Sequence, residues 1–197
     1  MTSPAGLGLS PEQARFNMIE QQIRPWEVLD GRVLDLLARV HREDYVPEAH
    51  KALAFADLEL PLTAQGTEGP CMLAPKVQAR LAQDLQLKPT DRVLEIGTGS
   101  GYMAALLASL AQRVVSIEID PHLARRARDN LQQAGISNAD VRTADASANQ
   151  FAACTAEGPF DAIVLSGAVP DVPEGLTAQL VRGQRPSAAA APPAASP

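Results

Sequence analysis

Asp91-Arg92-Val93-Leu94-Glu95-Ile96-Gly97-Thr98-Gly99-Ser100-Gly101-Tyr102 is the stretch from which the rest of this 197-residue chain is read. A short apolar run rich in branched residues meets glycines at 97, 99 and 101, and a helical apolar pattern follows over residues 102–110. That order reads as strand, tight turn, helix. Glycine admits positive-φ backbone and puts no β-carbon in the way of a ligand, while the free amides at the helix start face it. The spacing predicts a nucleotide cradle at the end of a buried parallel strand; a glycine turn that holds no ligand is the plainer alternative.

Two details bear on the ligand. The dinucleotide fingerprint GxGxxG needs glycine at 102, where this chain has Tyr102, and the spacing here is ExGxGxG with Glu95 before the first glycine. A carboxylate at Glu95 repels a pyrophosphate but suits the ammonium and sulfonium of S-adenosylmethionine. The expected cofactor is therefore S-adenosylmethionine, with Glu95, Gly97, Thr98, Gly99 and Gly101 in its site. Residues 113–119 form a second apolar run ending near Glu118, an acid placed to accept from two ribose hydroxyls, unless it is only a solvated strand-end carboxylate. Asp120-Pro121 caps a helix that ends at Gly135. Residues 140–143 read as a short third strand with Asp145 just past it, in reach of an adenine amino group, although Asp is also an ordinary turn residue. Gly158-Pro159 turns into a fourth strand at residues 160–165, and a last helix is expected over 173–181.

Towards the N-terminus, Ser10-Pro11-Glu12-Gln13 is a helix start with a capping box, and Pro25 is expected to end that helix. A second helix begins near Asp30 with Val33, Leu34, Leu36, Leu37 and Val40 on a broad apolar face. With no strand yet in place, both helices read as an addition covering part of the later sheet. The loop at residues 63–70, with Gly66, Gly69 and Pro70, is a candidate lid or substrate wall. Pro75 opens a further helix, with Val77, Leu81 and Leu85 on one face.

Composition narrows the function classes. The chain is 46% hydrophobic, enough for one ordinary domain that buries roughly 70% of its unfolded surface. A net charge of −6 with scattered basic residues argues against nucleic acid as a partner, and Arg125, Arg126 and Arg128 read as the solvated face of a helix. Cys71 and Cys154 have neither framework nor metal spacing, which fits a reducing cytoplasm. His41 and His50 lack partners at ligand spacing, so no metal is expected. Residues 1–10 have no basic region and no apolar core, so no signal peptide is expected, and no apolar run suggests membrane insertion.

The fold class expected is α/β, a Rossmann-like, doubly wound, mostly parallel sheet with an N-terminal helical addition. Residues 1–75 form the helical extension and substrate-side loop, 76–183 the S-adenosylmethionine-binding domain, and 184–197 a disordered Ala/Pro-rich tail. The alternation stops after four strands, leaving residues 160–165 as an apolar edge prone to self-association.

With these residues in view, the chain resembles the protein-L-isoaspartate O-methyltransferase family over about residues 15–183. The likeness rests on Val40-His41-Arg42-Glu43-Asp44-Tyr45-Val46-Pro47, which is similar to the family's VPREFVP segment, on the glycine stretch, and on Pro159-Phe160-Asp161-Ala162-Ile163. The resemblance implies S-adenosylmethionine as donor and an isomerised aspartyl residue in a damaged protein or peptide as acceptor. It also implies that Glu95 and the glycines hold the methionyl part, Glu118 the ribose and Asp145 the adenine. Two departures stand out. The family's GQTIS aligns with Gly69-Pro70-Cys71-Met72-Leu73, so Leu73 replaces the serine, which leaves the catalytic position without an assignment. The family's further strands give way to the Ala/Pro tail. A methyltransferase for another small-molecule or protein acceptor, or a non-catalytic donor-binding remnant, therefore stays open beside the family reaction.

Overall fold

The computed structural model describes residues 9–63, 69–146, 158–167, 176, 178–181 and 187–188. Ser10 caps helix α1 (Pro11–Met18) by accepting from the Gln13 amide at 3.2 Å, with Pro11 at the first helical position. The Gln13 side chain bonds Asn17 instead of reaching back to Ser10, so only half of the capping box forms. Pro25 does not end the helical path. It sits inside a 3-10 turn (Arg24–Trp26) that follows a π-turn (Ile19–Ile23), and the chain turns away at Glu27, whose φ is 59°. Helix α2 (Gly31–Arg39) starts at the Asp30 cap and buries Val33, Leu34, Leu36 and Leu37.

A two-residue antiparallel pair comes next, β1 (Leu60–Pro61) against β2 (Cys71–Met72). Helix α3 (Pro75–Asp84) follows, then the alternating core: β3 (Arg92–Ile96), α4 (Tyr102–Leu110), β4 (Arg113–Glu118), α5 (Pro121–Gln133), β5 (Ala139–Thr143) and β6 (Ala162–Leu165). Helix α5 runs from the Asp120 cap to Gly135, whose φ is 71°. The first two helices do not lie on the sheet as the sequence suggests. Helix α2 packs on α3 and α4, and the π-turn packs on α3. The reason lies in α4, which is buried along Tyr102, Met103, Ala104, Ala105, Leu106, Leu107 and Ala108 and so needs cover on its outer side as well.

The sheet has the order β5-β4-β3-β6-β7, all neighbours parallel, where β7 is Ser187–Ala188. Here the structure corrects the expectation of a wholly disordered tail and a bare fourth strand. Val164 and Leu165 pair with Ser187 and Ala188, and a parallel bridge joins Phe160 to Leu180. The Phe160 amide donates to Gln179 O at 2.7 Å and the Val181 amide to Phe160 O at 3.0 Å, so residues 180–181 run alongside the strand and do not continue a helix. Backbone groups on the edge of a buried apolar strand need partners, and any chain segment can supply them whatever its side chains. Residues 173–175 and 177 of the helix expected over 173–181, and residues 64–68 of the loop expected over 63–70, lie outside the described residues.

Strand periodicity divides the core. Leu94, Ile96, Val115, Ile117, Ile163 and Leu165 point to one face with Phe160 and Leu176. Val93, Val114, Ala162 and Val164 point to the other, against α4 and α5. Glu95 and Ser116 are direct register partners, so they lie side by side on one face of the sheet.

Candidate active site

The loop after β3 lies where the chain crosses from the β4 side of the sheet to the β6 side, the usual place for a ligand in an open α/β sheet. Its three glycines all have positive φ, at 90°, 56° and 87° for Gly97, Gly99 and Gly101. What fills the space beside each is protein. A β-carbon on Gly97 would fall 2.5 Å from the Gly167 nitrogen, one on Gly99 2.9 Å from Leu62 Cδ1, and one on Gly101 3.2 Å from Ala127 Cβ. The sequence reading credits these glycines with making room for a ligand; the structure adds that they let the loop seat against β6, the β1 hairpin and α5. Helix α5 also holds the loop from the side, where Asn130 Nδ2 donates to Ser100 O at 2.9 Å.

Beneath the loop runs a buried polar chain. Glu95 is completely buried, and its two carboxyl oxygens accept from Ser116 Oγ at 2.7 Å and Ser166 Oγ at 2.8 Å. The Thr98 hydroxyl, also buried, bonds Ser116 Oγ. Burial raises the Glu95 carboxyl to about 7, against the pull of the two serine hydroxyls, and the negative Glu118 nearby adds to the rise. Glu95 therefore joins strands β3 and β4, the end of β6 and the glycine loop. Of the two serines that complete its shell, Ser116 carries no signal as a lone serine in an apolar strand, and Ser166 reads from the sequence only as a residue at the carboxyl end of the fourth strand beside the switch point.

Glu118 stands at the end of β4, where one oxygen accepts from the Gly99 amide at 2.8 Å and the other from the Asp120 amide at 3.0 Å. Its carboxylate is thus locked to the second glycine of the loop. Asp145, half-buried, follows β5 two residues past Thr143, and the Ala144 amide donates to Glu118 O at 2.9 Å. Glu95, Gly97, Thr98, Gly99, Gly101 and Glu118 are thus brought together around one loop, with Asp145 on the next strand end. A cationic, ribose-bearing ligand fits this set: positive-φ backbone amides, a sealed carboxyl below and a strand-end carboxylate beside the loop.

On the opposite side lies the β1–β2 hairpin. The Leu62 side chain packs over Gly99, and the Leu62 carbonyl accepts from Arg126 Nη1 at 3.3 Å. Arg126 is half-buried, and Arg128 Nε donates to Val141 O at 3.0 Å, so these arginines tie α5 to its neighbours and are not simply a solvated face. Leu73 is buried within the apolar core next to Met72. Arg42, in the 3-10 turn Arg42–Asp44, is fully buried and donates to the Leu73 carbonyl at 2.8 Å. Among the described residues no group of three or more His, Cys, Asp or Glu is placed to hold a metal ion, and no helix is long and apolar enough to cross a membrane.

Comparison with known proteins agrees with this geometry. The family model for protein-L-isoaspartate(D-aspartate) O-methyltransferase matches residues 13–186. A protein-L-isoaspartate O-methyltransferase of Methanoculleus marisnigri is 41% identical over 171 residues, 87% of this chain and 74% of that protein. Its counterpart from Myxococcus xanthus is 43% identical over 158 residues, 80% of this chain and 71% of that protein. A solved protein-L-isoaspartate O-methyltransferase superposes with a TM-score of 0.72 at 24% identity, covering 90% of this chain and 54% of that one. A solved Plasmodium falciparum protein described as a beta-aspartate methyltransferase in complex with S-adenosyl-L-homocysteine gives 0.70 at 20% identity, covering 91% and 83%. The two structures establish the fold; the family model and the sequence relatives establish that this chain belongs to the protein-L-isoaspartate O-methyltransferase family.

Proposed function

We propose that this chain transfers a methyl group from S-adenosylmethionine to the side-chain or main-chain carboxylate of an isomerised aspartyl residue in a damaged protein. The observation that carries the reading is the Glu118 carboxylate held on the Gly99 amide at 2.8 Å inside an ExGxGxG loop. When bound, the donor supplies an electrophilic methyl on a sulfonium. Glu118 accepts from the ribose hydroxyls and Asp145 from the adenine amino group. The amides of the loop would face the methionyl carboxylate, and Glu95, sealed below the loop, would support them through Ser116, Thr98 and Ser166. A carboxylate with a pKa near 4 is already ionised at neutral pH, so attack needs no general base. Alignment and exclusion of water are then the tasks of the protein, and the Leu62 side chain over Gly99 narrows the approach from the hairpin side. Membership of a family that uses this donor supports the assignment. Cysteine usage without a disulfide framework favours the cytoplasm as the place where the chain works.

A second reading, transfer to a different acceptor, is favoured by one feature: Leu73 brings no hydroxyl to the position of the family's serine and turns its side chain into the core. Methyl transfer from labelled donor to an isoaspartyl peptide and to its normal aspartyl counterpart tests both. Transfer selective for the isoaspartyl peptide is expected. Donor binding without transfer to either peptide would move the assignment to another acceptor or to a binding protein.

A further inference from the structure

We propose that Arg42 is a positioning residue that fixes the acceptor-side segment, residues 71–74, against the donor-side helix α4. The proposal rests on the methyltransferase reading for its kinetic consequence but not for its structural one. Arg42 is completely buried, and its guanidinium spans four separate pieces of chain. Nε donates to Ala54 O at 2.9 Å, Nη1 to Gln78 Oε1, and Nη2 to Leu73 O at 2.8 Å. Its flat face lies 5.3 Å from the centre of the Tyr102 ring, the first residue of α4 after Gly101.

These hydrogen-bond partners are all neutral. Burying a guanidinium on neutral acceptors is costly, and an apolar side chain could fill the same volume at less cost. Burial lowers its pKa only to about 10, so the charge persists at neutral pH. What the group adds is direction. A planar fork of donors holds a backbone carbonyl, a side-chain amide and an aromatic face in one fixed arrangement, which a lysine ammonium cannot reproduce. The carbonyl it holds belongs to Leu73, at the position where the resemblance to relatives puts a hydroxyl. The ring it holds belongs to the helix that follows the glycine loop. Arg42 is therefore the tie between the two substrates' walls.

Cys71, two residues before Leu73, provides a reporter that needs no turnover. Its thiol is half-buried and bonds Glu59 Oε2 at 3.3 Å, and burial with that carboxylate pushes its pKa up to about 11. In the parent it should react slowly with 5,5′-dithiobis(2-nitrobenzoate). The test uses Arg42→Lys in the full chain on a Cys154→Ser background, with three readouts. Cys71 labelling should rise about tenfold. Calorimetric affinity for S-adenosylhomocysteine should stay within about twofold of the parent. On an isoaspartyl peptide, kcat should fall roughly ten- to a hundredfold with the donor KM little changed, as misplacement of one reactant predicts. Gln78→Leu, which removes one of the three acceptors and leaves the guanidinium in place, should shift all three readouts the same way by less, and it decides the matter if Arg42→Lys does not fold. Parental labelling, or labelling, affinity and melting temperature collapsing together, would overturn the proposal. If the Cys154→Ser parent itself transfers no methyl to the isoaspartyl peptide, the proposed function falls, and the labelling rate alone decides the role of Arg42.

Discussion

The glycine-loop side, read here as the donor side, and the hairpin side, proposed as the acceptor side, are built on opposite plans. Around the glycine loop, Glu95, Ser116, Thr98, Ser166 and Glu118 reach one another because strand register makes them neighbours, and each carboxylate bonds to hydroxyls or amides of the same small region. On the acceptor side, a two-residue pair of strands supplies almost no ladder, and the segment is held by a buried arginine from residue 42, an arginine from α5 and an apolar contact onto Gly99. A nucleotide cradle is therefore a property of a sheet, whereas the acceptor wall depends on long-range ties from several elements.

The largest effect is expected where the donor side is tightest. Gly97→Ala places a β-carbon 2.5 Å from a backbone nitrogen at a residue with φ of 90°, combining strain with a clash neither neighbour can relieve. A loss of about 3 to 6 kcal/mol is expected in urea denaturation, together with loss of donor binding. A mutant with parental stability would show that the loop is not packed as described.

Glu95 sharpens the contrast through pH. Its folded carboxyl keeps a proton to about pH 7, whereas an unfolded glutamate loses it near 4.5. Between those values the folded state binds more protons, so stability falls as pH rises through the window and is flat on either side. The drop should be on the order of 3 kcal/mol at most, and Glu95→Gln should remove that slope. Denaturation curves from pH 4 to 8 for both proteins measure it; an identical slope in the mutant would place the titration elsewhere. Glu118→Ala comes next, with a loss of roughly 1.5 to 3 kcal/mol of donor affinity by calorimetry. Equal affinity would remove Glu118 from the donor site. Smallest is Tyr45→Phe, on the acceptor side. The Tyr45 hydroxyl is buried with no hydrogen-bond partner among the described residues, beside the Tyr102 ring at 5.3 Å between centroids. Its removal should leave stability unchanged or raise it by up to about 1 kcal/mol in thermal melts, and a large loss would reveal a partner for it.

The same contrast explains what could be read in advance. The strand, turn and helix around Gly97 to Gly101, the caps at Ser10, Asp30 and Asp120, and the helix stop at Gly135 all depend on neighbours in sequence, and each stands where its pattern puts it. Arg42 is legible only as part of the segment at residues 40–47, since its partners lie 12, 31 and 36 residues away. The tail pairing at Ser187–Ala188 had no signal because backbone bonds to an edge strand ask nothing of side chains. The π-turn at Ile19–Ile23 was equally silent, since it packs on α2 and α3, which are distant in sequence.

The contact between Gly97 and Gly167 has a consequence for how this sequence can drift. A methyl added to Gly97 collides with the Gly167 backbone, whereas one added to Gly167 meets Gly97 Cα at 3.4 Å, an ordinary contact. The interface is thus a one-way gate in sequence space. Gly167 can become alanine while Gly97 cannot, and once that alanine is in place the loop loses the remaining slack in which a Gly97 substitution could ever be compensated. A saturation library at both positions should yield survivors at 167 in the parental background and none at 97 in either.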